Sequence, residues 1–313
     1  MDNILFLKPV FHEKIWGGNK LNSIFGYDIP SEKTGECWAI SAHPNGDCEI
    51  LNRNFKGWTL SKLWKDKPEL FGNLPLKQFP LLVKIIDACD DLSVQVHPND
   101  EQAKLLENES NGKTECWYVL HCEESSKLVY GHNATTKAAF IDMIDRGKYK
   151  ELLEYRNIKE GDFYFVPAGT IHGIGSGTLI YEVQQPSDVT YRLYDYDRVD
   201  SNGKHRDLHL DKSKEVVNVP HRDISIMPEV KKENSVKVTT YISNEYFEVR
   251  KLSIHSYYST KNDKPFLLCT VIDGEGLING ITIKTGDNFI VTSQCNRIDI
   301  EGKLEIITSN VME

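Results

Sequence analysis

The stretch Ile158-Lys-Glu-Gly-Asp-Phe-Tyr-Phe-Val-Pro-Ala-Gly-Thr-Ile-His-Gly-Ile-Gly-Ser-Gly-Thr-Leu-Ile-Tyr-Glu182 decides the fold. Two runs rich in aromatic and β-branched residues flank a Pro-Ala-Gly turn, a pattern typical of two strands joined by a short connection. His172 follows that turn directly, where a rigid sheet can hold an imidazole towards a ligand. The pattern therefore predicts a strand pair that presents a candidate metal ligand.

A second copy of this pattern lies near the C-terminus. Ile158-Lys-Glu-Gly-Asp162 matches Ile283-Lys-Thr-Gly-Asp287 at a constant offset of 125 positions. In the same register, Gly177-Thr-Leu179 matches Gly302-Lys-Leu304. An ungapped match of this length rarely arises by chance, and internal repeats indicate repeated structural units. The sequence therefore predicts two β-barrel units in one chain.

The two copies differ where the first carries its candidate ligand. At the offset of 125 positions, His172 corresponds to Arg297, and the turn Pro167-Ala-Gly169 corresponds to Thr292-Ser-Gln294. An arginine is a cation and does not ligate a metal ion. We therefore expect the first unit to carry the chemistry and the second to be structural.

Composition restricts the class of protein. The chain has 313 residues, of which 40% are hydrophobic and 27% are charged, as is ordinary for a globular protein. Its formal net charge of −9 argues against a nucleic-acid binder, which needs clustered Lys and Arg. No apolar run approaches the roughly 20 residues that a membrane-spanning helix needs. We therefore expect neither a nucleic-acid partner nor a membrane partner.

Cysteine usage and the N-terminal residues predict a cytoplasmic protein. The seven cysteines are scattered and include no C-x-x-C pair, which suits reduced thiols better than a disulfide framework. The N-terminal apolar run has four residues and ends at Lys8 and Pro9, so it is too short for the core of a signal peptide.

Periodicity places the main elements. Residues 81–88 have the pattern of a buried strand, and Leu92-Ser-Val-Gln-Val-His97 alternates strictly, so that Ser93, Gln95 and His97 share one face. Helices are predicted at 59–67, at 99–107 and at 135–155, the last of which Gly147 would split. From residue 236 the pattern is short strands and glycine turns. We therefore predict a catalytic domain at 1–235 with helical insertions, and a second, degenerate domain at 236–313.

Two resemblances extend this interpretation. Gly161, Pro167-Ala-Gly169 and His172 resemble the second signature motif of the cupins, which are double-sheet jelly-roll barrels that bind a metal inside the barrel. More specifically, the chain resembles the short bacterial form of the type I mannose-6-phosphate isomerases. The motifs that carry this resemblance are Trp16-Gly-Gly18, Gly35-Glu-Cys-Trp-Ala-Ile-Ser41, Ser93-Val-Gln-Val-His-Pro98, Lys113-Thr-Glu-Cys-Trp117, Pro167-Ala-Gly-Thr-Ile-His172 and the stretch from Glu182 to Arg198.

The fold class expected from these observations is mainly β, with two cupin-type jelly-roll barrels, a few inserted helices, and a second barrel that lacks metal ligands. The expected ligands in the first barrel are His97, His172 and Glu115, with the amide oxygen of Gln95 as a weaker fourth donor. Two histidines and a carboxylate with an open position suit a catalytic Zn²⁺, but they also suit non-haem Fe(II). The isomerase resemblance implies one Zn²⁺ per chain.

The resemblance also implies the reaction. An isomerase of this family interconverts D-mannose 6-phosphate and D-fructose 6-phosphate through a cis-enediol(ate), so the partner is a small sugar phosphate. Strand alternation over 179–184 separates Glu182 from Leu179 and Tyr181, which makes Glu182 a candidate base if its face lines the barrel. The resemblance marks Arg192 as the catalytic arginine, and Lys113 shares a predicted face with Glu115.

Two alternatives use the same ligands. One is another metal-dependent cupin enzyme, such as an Fe(II) dioxygenase, and the other is a sugar-binding cupin without turnover. Neither alternative requires Lys113, Glu182 and Arg192 together, whereas the isomerase pattern includes all three.

Overall fold

Strands make up most of the regular structure in the computed structural model of the protein, which describes residues 3–199, 203–233 and 235–312. The strands are β1 (Ile4–Lys8), β2 (Val10–Gly18), β3 (Thr34–Ile40), β4 (Ala42–His43), β5 (Gly46–Asp47), β6 (Glu49–Ile50), β7 (Leu82–Ala88), β8 (Val94–Val96), β9 (Glu115–Cys122), β10 (Lys127–His132), β11 (Leu153–Asn157), β12 (Phe163–Val166), β13 (His172–Ile174), β14 (Thr178–Gln184), β15 (Tyr191–Tyr194), β16 (Glu229–Glu233), β17 (Val236–Ser243), β18 (Glu248–Ile254), β19 (Tyr257–Lys261), β20 (Phe266–Ile278), β21 (Ile281–Lys284), β22 (Asn288–Thr292) and β23 (Arg297–Asn310).

The helices are short and lie mainly between strands of the first half of the chain. They are α1 (Lys20–Ser23), α2 (Leu60–Asp66), α3 (Asp100–Glu107), α4 (Lys137–Asp145), α5 (Tyr149–Leu152) and α6 (Leu210–Val216), with 3₁₀ turns at Arg53–Phe55 and Pro68–Phe71.

The predicted helix signals are confirmed. Thr59 caps α2 by accepting a hydrogen bond from the backbone N–H of Lys62, and Asn99 caps α3 in a reciprocal capping box with Gln102. The predicted helix at 135–155 is two helices, because Gly147 takes a φ of 63° between α4 and α5 and ends the first of them. Its predicted end is wrong, because α5 stops at Leu152 and residues 153–155 already belong to β11, which pairs with β10.

Two facing sheets form the first structural unit. The six-stranded sheet has the order β12-β9-β14-β7-β2-β3, and the five-stranded sheet has the order β11-β10-β13-β8-β15. Their inner faces meet in a buried cluster that includes Trp117 and Ile180 from the larger sheet and Leu128 and Ile174 from the smaller one. Helices α4 and α6 cover the outer face of the smaller sheet. The candidate site residues lie between the two sheets, beside this cluster.

A ten-stranded sheet forms the second unit and curls around a core of its own. Its main order is β16-β17-β18-β23-β20-β22-β1-β6, with β19 paired to β23 and β21 to β20. A third apolar cluster joins this sheet to the outer face of the six-stranded sheet, with Tyr181 and Val183 on one side and Phe266 and Ile290 on the other. The molecule therefore consists of two cupin-type jelly-roll units stacked through a shared core, as the sequence predicts.

The repeat is present in the backbone. Gly161 and Gly286 have φ values of 88° and 92°, which a residue with a Cβ rarely adopts. Asp162 Oδ2 accepts a hydrogen bond from the backbone N–H of Lys159 at 3.0 Å. In the second copy, Asp287 Oδ2 accepts the same bond from the backbone N–H of Lys284 at 2.8 Å. Strand β12 begins 125 positions before β22, and β13 begins 125 positions before β23.

The register between the copies shifts by one residue after His172. Thr178 pairs with Ala88, the last residue of β7, whereas Leu304 pairs with Ile254, the last residue of the equally long β18. Leu304 therefore takes the position of Thr178 and not that of Leu179. The predicted match of Gly177–Leu179 to Gly302–Leu304 is thus wrong by one position, because the ungapped register ignores one additional residue in the second copy.

Two whole-chain expectations concern thiols and membranes. All seven cysteines are free thiols. Within the described residues, every helix is too short or too polar to span a bilayer.

Candidate metal centre

Three predicted ligands meet between the two sheets of the first unit. His97 follows β8, Glu115 begins β9 and His172 begins β13, and one potential ligand atom from each lies within 4.8 Å of the other two. The two His Nε2 atoms are 3.1 Å apart, and they lie 3.4–3.5 Å from the Glu115 carboxylate oxygens. All three side chains are buried. Residues separated by 75 positions in sequence thus form one compact donor set.

Backbone carbonyls orient both imidazoles. The Nδ1 atom of His97 donates to the carbonyl of Val189 at 2.8 Å, and that of His172 donates to the carbonyl of Thr170 at 2.9 Å. A carbonyl can only accept, so each ring carries its proton on Nδ1 and turns the Nε2 lone pair towards the centre. Two lone pairs that face each other across 3.1 Å repel unless a cation or a donor lies between them. The arrangement fits a metal ion, whose histidine ligands are commonly fixed in this way.

Burial keeps the histidines neutral. It is the main cause that lowers the pKa of His172 to about 3, and burial together with Lys113 holds the pKa of His97 well below its usual value. A metal binds the neutral imidazole, so these shifts favour binding at neutral pH.

Glu115 supplies the negative charge of the centre. It is fully buried, and its Oε1 accepts no hydrogen bond from the described residues. Its Oε2 lies 2.8 Å from the ammonium of Lys113, which is also 3.1 Å from Nε2 of His97. Burial alone would lower the pKa of Lys113, but Glu115 and Glu182 outweigh it and raise that pKa. A buried oxygen without a donor is costly, so this carboxylate fits the role of a ligand to a metal cation.

Gln95 lies beside these three residues on strand β8, directly across the sheet from His172. Its amide nitrogen is 3.3 Å from Nε2 of His172. A flip of the Gln95 amide group would exchange its nitrogen and oxygen. The oxygen, which can ligate a metal ion, would then face Nε2 of His172. The predicted alternation that puts Gln95 and His97 on one face is confirmed.

Glu182 faces the interior of the first unit, as strand alternation predicts. Leu179, Tyr181 and Val183 enter the core shared with the second unit, whereas Glu182 accepts a hydrogen bond from the indole N–H of Trp117 at 2.9 Å. Its other oxygen lies 3.6 Å from the ammonium of Lys84. Burial, reinforced by the charge of Glu115, raises the pKa of Glu182. A carboxyl group tuned in this way suits proton transfer.

Arg192 reaches the same cavity from strand β15, opposite Gln95 in the sheet. Its Nε donates to the hydroxyl of Ser93 at 3.3 Å, and its Nη1 donates to the carbonyl of Asp207 at 2.8 Å. These two bonds hold the guanidinium plane at the cavity wall. Burial and the neighbouring Arg206 lower the pKa of Arg192, but the group remains charged at any working pH.

The cavity itself has a volume of about 240 Å³, and its wall includes Gln95, Lys113, His172, Glu182 and Arg192. The same wall contains five charged residues that sequence reasoning missed, namely Lys14, Glu36, Lys84, Asp188 and Arg206. Lys84 had a visible signal, because it is the first charge within the apolar run of residues 81–88. Lys14, Glu36 and Arg206 lie on distant elements whose approach no local pattern reveals, and Asp188 lies in the segment that follows β14.

The second unit has lost the donor set. Val166 pairs with Glu115 in the first unit, and its counterpart Val291 pairs with Leu267 in the second. An apolar residue therefore stands where the first unit has its carboxylate, and Arg297 stands where it has His172. Within residues 3–199, 203–233 and 235–312, His97, Glu115 and His172 are the one group with metal-binding geometry.

Comparisons with known proteins identify the family of the chain. The family model of the type I phosphomannose isomerase catalytic domain matches residues 4–113, and the model of the mannose-6-phosphate isomerase cupin domain matches residues 237–311. Mannose-6-phosphate isomerase ManA of Bacillus subtilis is 50% identical over 98% of both chains. The probable mannose-6-phosphate isomerase GmuF of the same organism is 46% identical over 99% of this chain and 100% of its own.

A solved structure extends the likeness to three dimensions. The crystal structure of the mannose 6-phosphate isomerase from Bacillus subtilis superposes with a TM-score of 0.96 at 44% identity, over 98% of this chain and 99% of that one. Both stacked units, and not the first alone, are therefore shared with that enzyme. The protein belongs to the type I phosphomannose isomerase family.

Proposed function

We propose that this protein is an aldose–ketose isomerase that interconverts D-mannose 6-phosphate and D-fructose 6-phosphate with one Zn²⁺ per chain. The observation that carries the proposal is the convergence of two Nε2 lone pairs and a carboxylate lacking a donor on its Oε1, inside a cavity lined by cations. The relatives at 46–50% identity are named for the same activity. We further propose that the enzyme works in the cytoplasm, where its seven free thiols would stay reduced.

The proposed metal ligands are His97, His172 and Glu115, with Gln95 as a fourth donor. When bound, Zn²⁺ would supply Lewis-acid stabilisation of the negative charge that develops on a substrate oxygen. The carbonyls of Val189 and Thr170 keep both imidazoles in the tautomer that such binding needs. Two neutral histidines and one carboxylate leave a net positive charge of one on a divalent centre, which suits a developing oxyanion.

We assign the proton transfer to Glu182. As a carboxylate it would take the proton from C2 of the open-chain aldose, giving a cis-enediol(ate), and return it to C1, while the hydroxyl proton of O2 passes to O1 to complete the ketose. The raised pKa of Glu182 reduces the difference between its pKa and that of the weakly acidic C2–H group that it must deprotonate. Trp117 and Lys84 hold the two carboxylate oxygens and so fix where the proton can be collected.

Three basic residues are proposed to bind the oxygens of the substrate. Lys113 lies deepest, beside Glu115, where its ammonium can donate to a sugar oxygen next to the metal. Arg192 and Arg206 lie on the more accessible part of the wall, and Arg192 is held with its guanidinium plane fixed. A fixed guanidinium binds a phosphate with two parallel hydrogen bonds, so we place the 6-phosphate there.

We propose residues 1–235 as the catalytic domain and residues 236–313 as the degenerate cupin domain. The cupin-domain family match at residues 237–311 supports this division. Strand β1 nevertheless pairs with β22, so the catalytic domain contributes a strand to the sheet of its neighbour.

A coupled assay tests the function. Fructose 6-phosphate formed from mannose 6-phosphate is measured in the purified protein, after removal of metal with a chelator, and after addition of Zn²⁺. We expect turnover that falls at least about a hundredfold without metal and returns with about one Zn²⁺ per chain. A zinc-loaded protein that binds mannose 6-phosphate without forming the ketose would reject the isomerase proposal. Turnover that is unaffected by complete metal removal would reject the metal role alone.

A further inference from the structure

The second unit contains a cavity that the isomerase chemistry does not use. It has a volume of about 150 Å³ and lies inside the curled ten-stranded sheet. Its floor is apolar, with Leu252, Ile278, Phe289, Val291 and Ile306 among the lining residues. An apolar floor of this extent can hold a small apolar group, and the polar residues of the lining lie around it.

This cavity is the counterpart of the catalytic one. Lys84 is the third residue of β7 and pairs with Glu182, and Arg250 is the third residue of β18 and pairs with Thr308. Gln95 pairs with His172, and Lys261 pairs with Arg297 at the matching position. The two cavities are therefore lined from equivalent strand positions, but the side chains at those positions differ.

The substitutions replace most of the polar groups of the catalytic interior. The cation of Lys84 is retained as Arg250, the amide of Gln95 is replaced by the cation of Lys261, and the carboxylates of Glu115 and Glu182 are replaced by Leu267 and Thr308. In the same registers Asp263 stands at the position of His97, and Pro265 stands at that of Lys113. The two buried carboxylates are thus replaced, and the result is an apolar pocket with cations and the exposed Asp263 at its rim, which suits an amphipathic anion.

Some hydrogen-bond donors at the rim lack an acceptor among the described residues. Arg250 donates from Nη2 to Glu248 at 2.8 Å, but its buried Nε has no acceptor among the described residues. Lys261 forms no ion pair with the described residues, and Lys264 lies 3.8 Å from Glu248. Three cations thus face two carboxylates, Glu248 and the exposed Asp263. A buried N–H without an acceptor is costly, so an anionic acceptor at this point would be favoured.

We propose that the second unit is a binding site for a small monocarboxylate with an apolar body of about six carbon atoms, a size consistent with benzene filling an engineered cavity of this volume. The carboxylate accepts hydrogen bonds from Arg250 Nε and Lys261, and the apolar body lies on the floor formed by Leu252, Phe289 and Val291. The site is independent of the metal centre and of the proposed isomerase reaction.

Hexanoate is the probe, and its binding to the full-length, zinc-loaded protein is measured by isothermal titration calorimetry. Saturating mannose 6-phosphate is present so that the catalytic cavity is occupied. We expect hexanoate to bind at least about tenfold more tightly than either acetate, which lacks the apolar body, or hexan-1-ol, which lacks the charge. A protein that gives no hexanoate binding, or that binds all three probes equally, overturns the proposal.

Variants locate the site. Arg250→Gln and Lys261→Gln are each expected to weaken hexanoate binding by about fivefold to tenfold. The matched control is Lys237→Gln, which removes the same charge from an exposed position on β17 and is expected to bind hexanoate as the parent does. Lys261 is exposed, so its variant remains informative even if Arg250→Gln fails to fold. Unchanged hexanoate affinity in Lys261→Gln would place the anion elsewhere and overturn the proposal.

Discussion

Backbone carbonyls fix the Nδ1 side of the two central imidazoles of the first unit. Each carbonyl belongs to a segment that leads into or out of a strand, so the orientation of the rings is part of the fold itself. Sequence reasoning selected His97 and His172 by motif and parity, but it could not reveal which nitrogen faces the centre. That detail depends on the carbonyl of Thr170, which lies 2 positions from His172, and on the carbonyl of Val189, which lies 92 positions from His97.

The first residue-scale prediction concerns His172. His172→Ala removes one of three close donors, so the affinity for Zn²⁺ should fall by more than about a hundredfold and the protein should purify without metal. Metal content measured by mass spectrometry after dialysis provides the test. His121→Ala is the control, because His121 is a partly exposed histidine paired with Glu160 on the surface. A His172→Ala protein that retains one zinc per chain and full turnover would show that the ligand assignment is wrong.

A second residue-scale prediction concerns Glu36, the largely buried carboxylate paired with Lys14 at 3.2 Å. Burial would raise its pKa, but Lys84 and Lys14 outweigh burial and lower it to about 2 from 4.5. A carboxyl group whose pKa is lowered by folding stabilises the folded state above pH 4.5, and this contribution is lost as the pH falls towards 2.

Glu36→Gln should therefore reduce the free energy of unfolding by up to about 3 kcal/mol at pH 7. The difference from the parent should shrink steadily between about pH 5 and pH 2, because protonation removes the same charge from the parent. Urea titrations of the parent and the variant at several pH values measure this difference in the free energy of unfolding. Glu69→Gln, at an exposed surface pair, is the control and should show a small difference. An equal loss at every pH would mean that Glu36 acts through packing and not through charge.

At the scale of elements, the repeat gives two versions of one turn. Gly161 and Gly286 share the same positive φ, but their surroundings differ. A Cβ at Gly161 would meet only the hydroxyl of Tyr118, at 3.8 Å, whereas a Cβ at Gly286 would lie 2.9 Å from the backbone carbonyl of Phe25. The second turn is thus packed against another part of the chain and the first is open.

Alanine at the two positions should therefore have unequal costs. Gly161→Ala should lower the free energy of unfolding by about 1–2 kcal/mol, the cost of a left-handed residue with a Cβ. Gly286→Ala should cost clearly more, because the backbone must also move. Urea midpoints compare the two variants, and Gly57→Ala, at a positive φ in open space, calibrates the conformational part. Equal losses at the two turns would contradict the structural difference.

Elements were predictable where local signals agree. The caps at Thr59 and Asn99 and the break at Gly147 each follow from side-chain chemistry within a few residues, and each is confirmed. The pairing of strands was less accessible, because it depends on contacts between distant segments. The approach of Lys14, Glu36 and Arg206 to the cavity is a result of that pairing, which explains why the sequence did not reveal them.

At the scale of the whole molecule, the two units share one apolar core. The cluster that joins them includes residues from β1, from α2, from the six-stranded sheet and from the ten-stranded sheet. The repeat predicted two units from sequence because each copy has kept its own turn and strands. It could not predict that the strand at the start of the chain completes the sheet at the end, since no pattern in residues 4–8 specifies a partner.

That pairing of β1 with β22 has a consequence for synthesis on the ribosome. Ile4 pairs with Val291, so β1, which can pair early with β6, waits for most of the intervening chain before β22 exists. At ordinary elongation rates the delay is on the order of 15–60 s. During that time β1 has an unpaired edge, and the outer face of the six-stranded sheet lacks its cover. We therefore expect the nascent chain to be prone to aggregation until β22 has been made and can pair with β1.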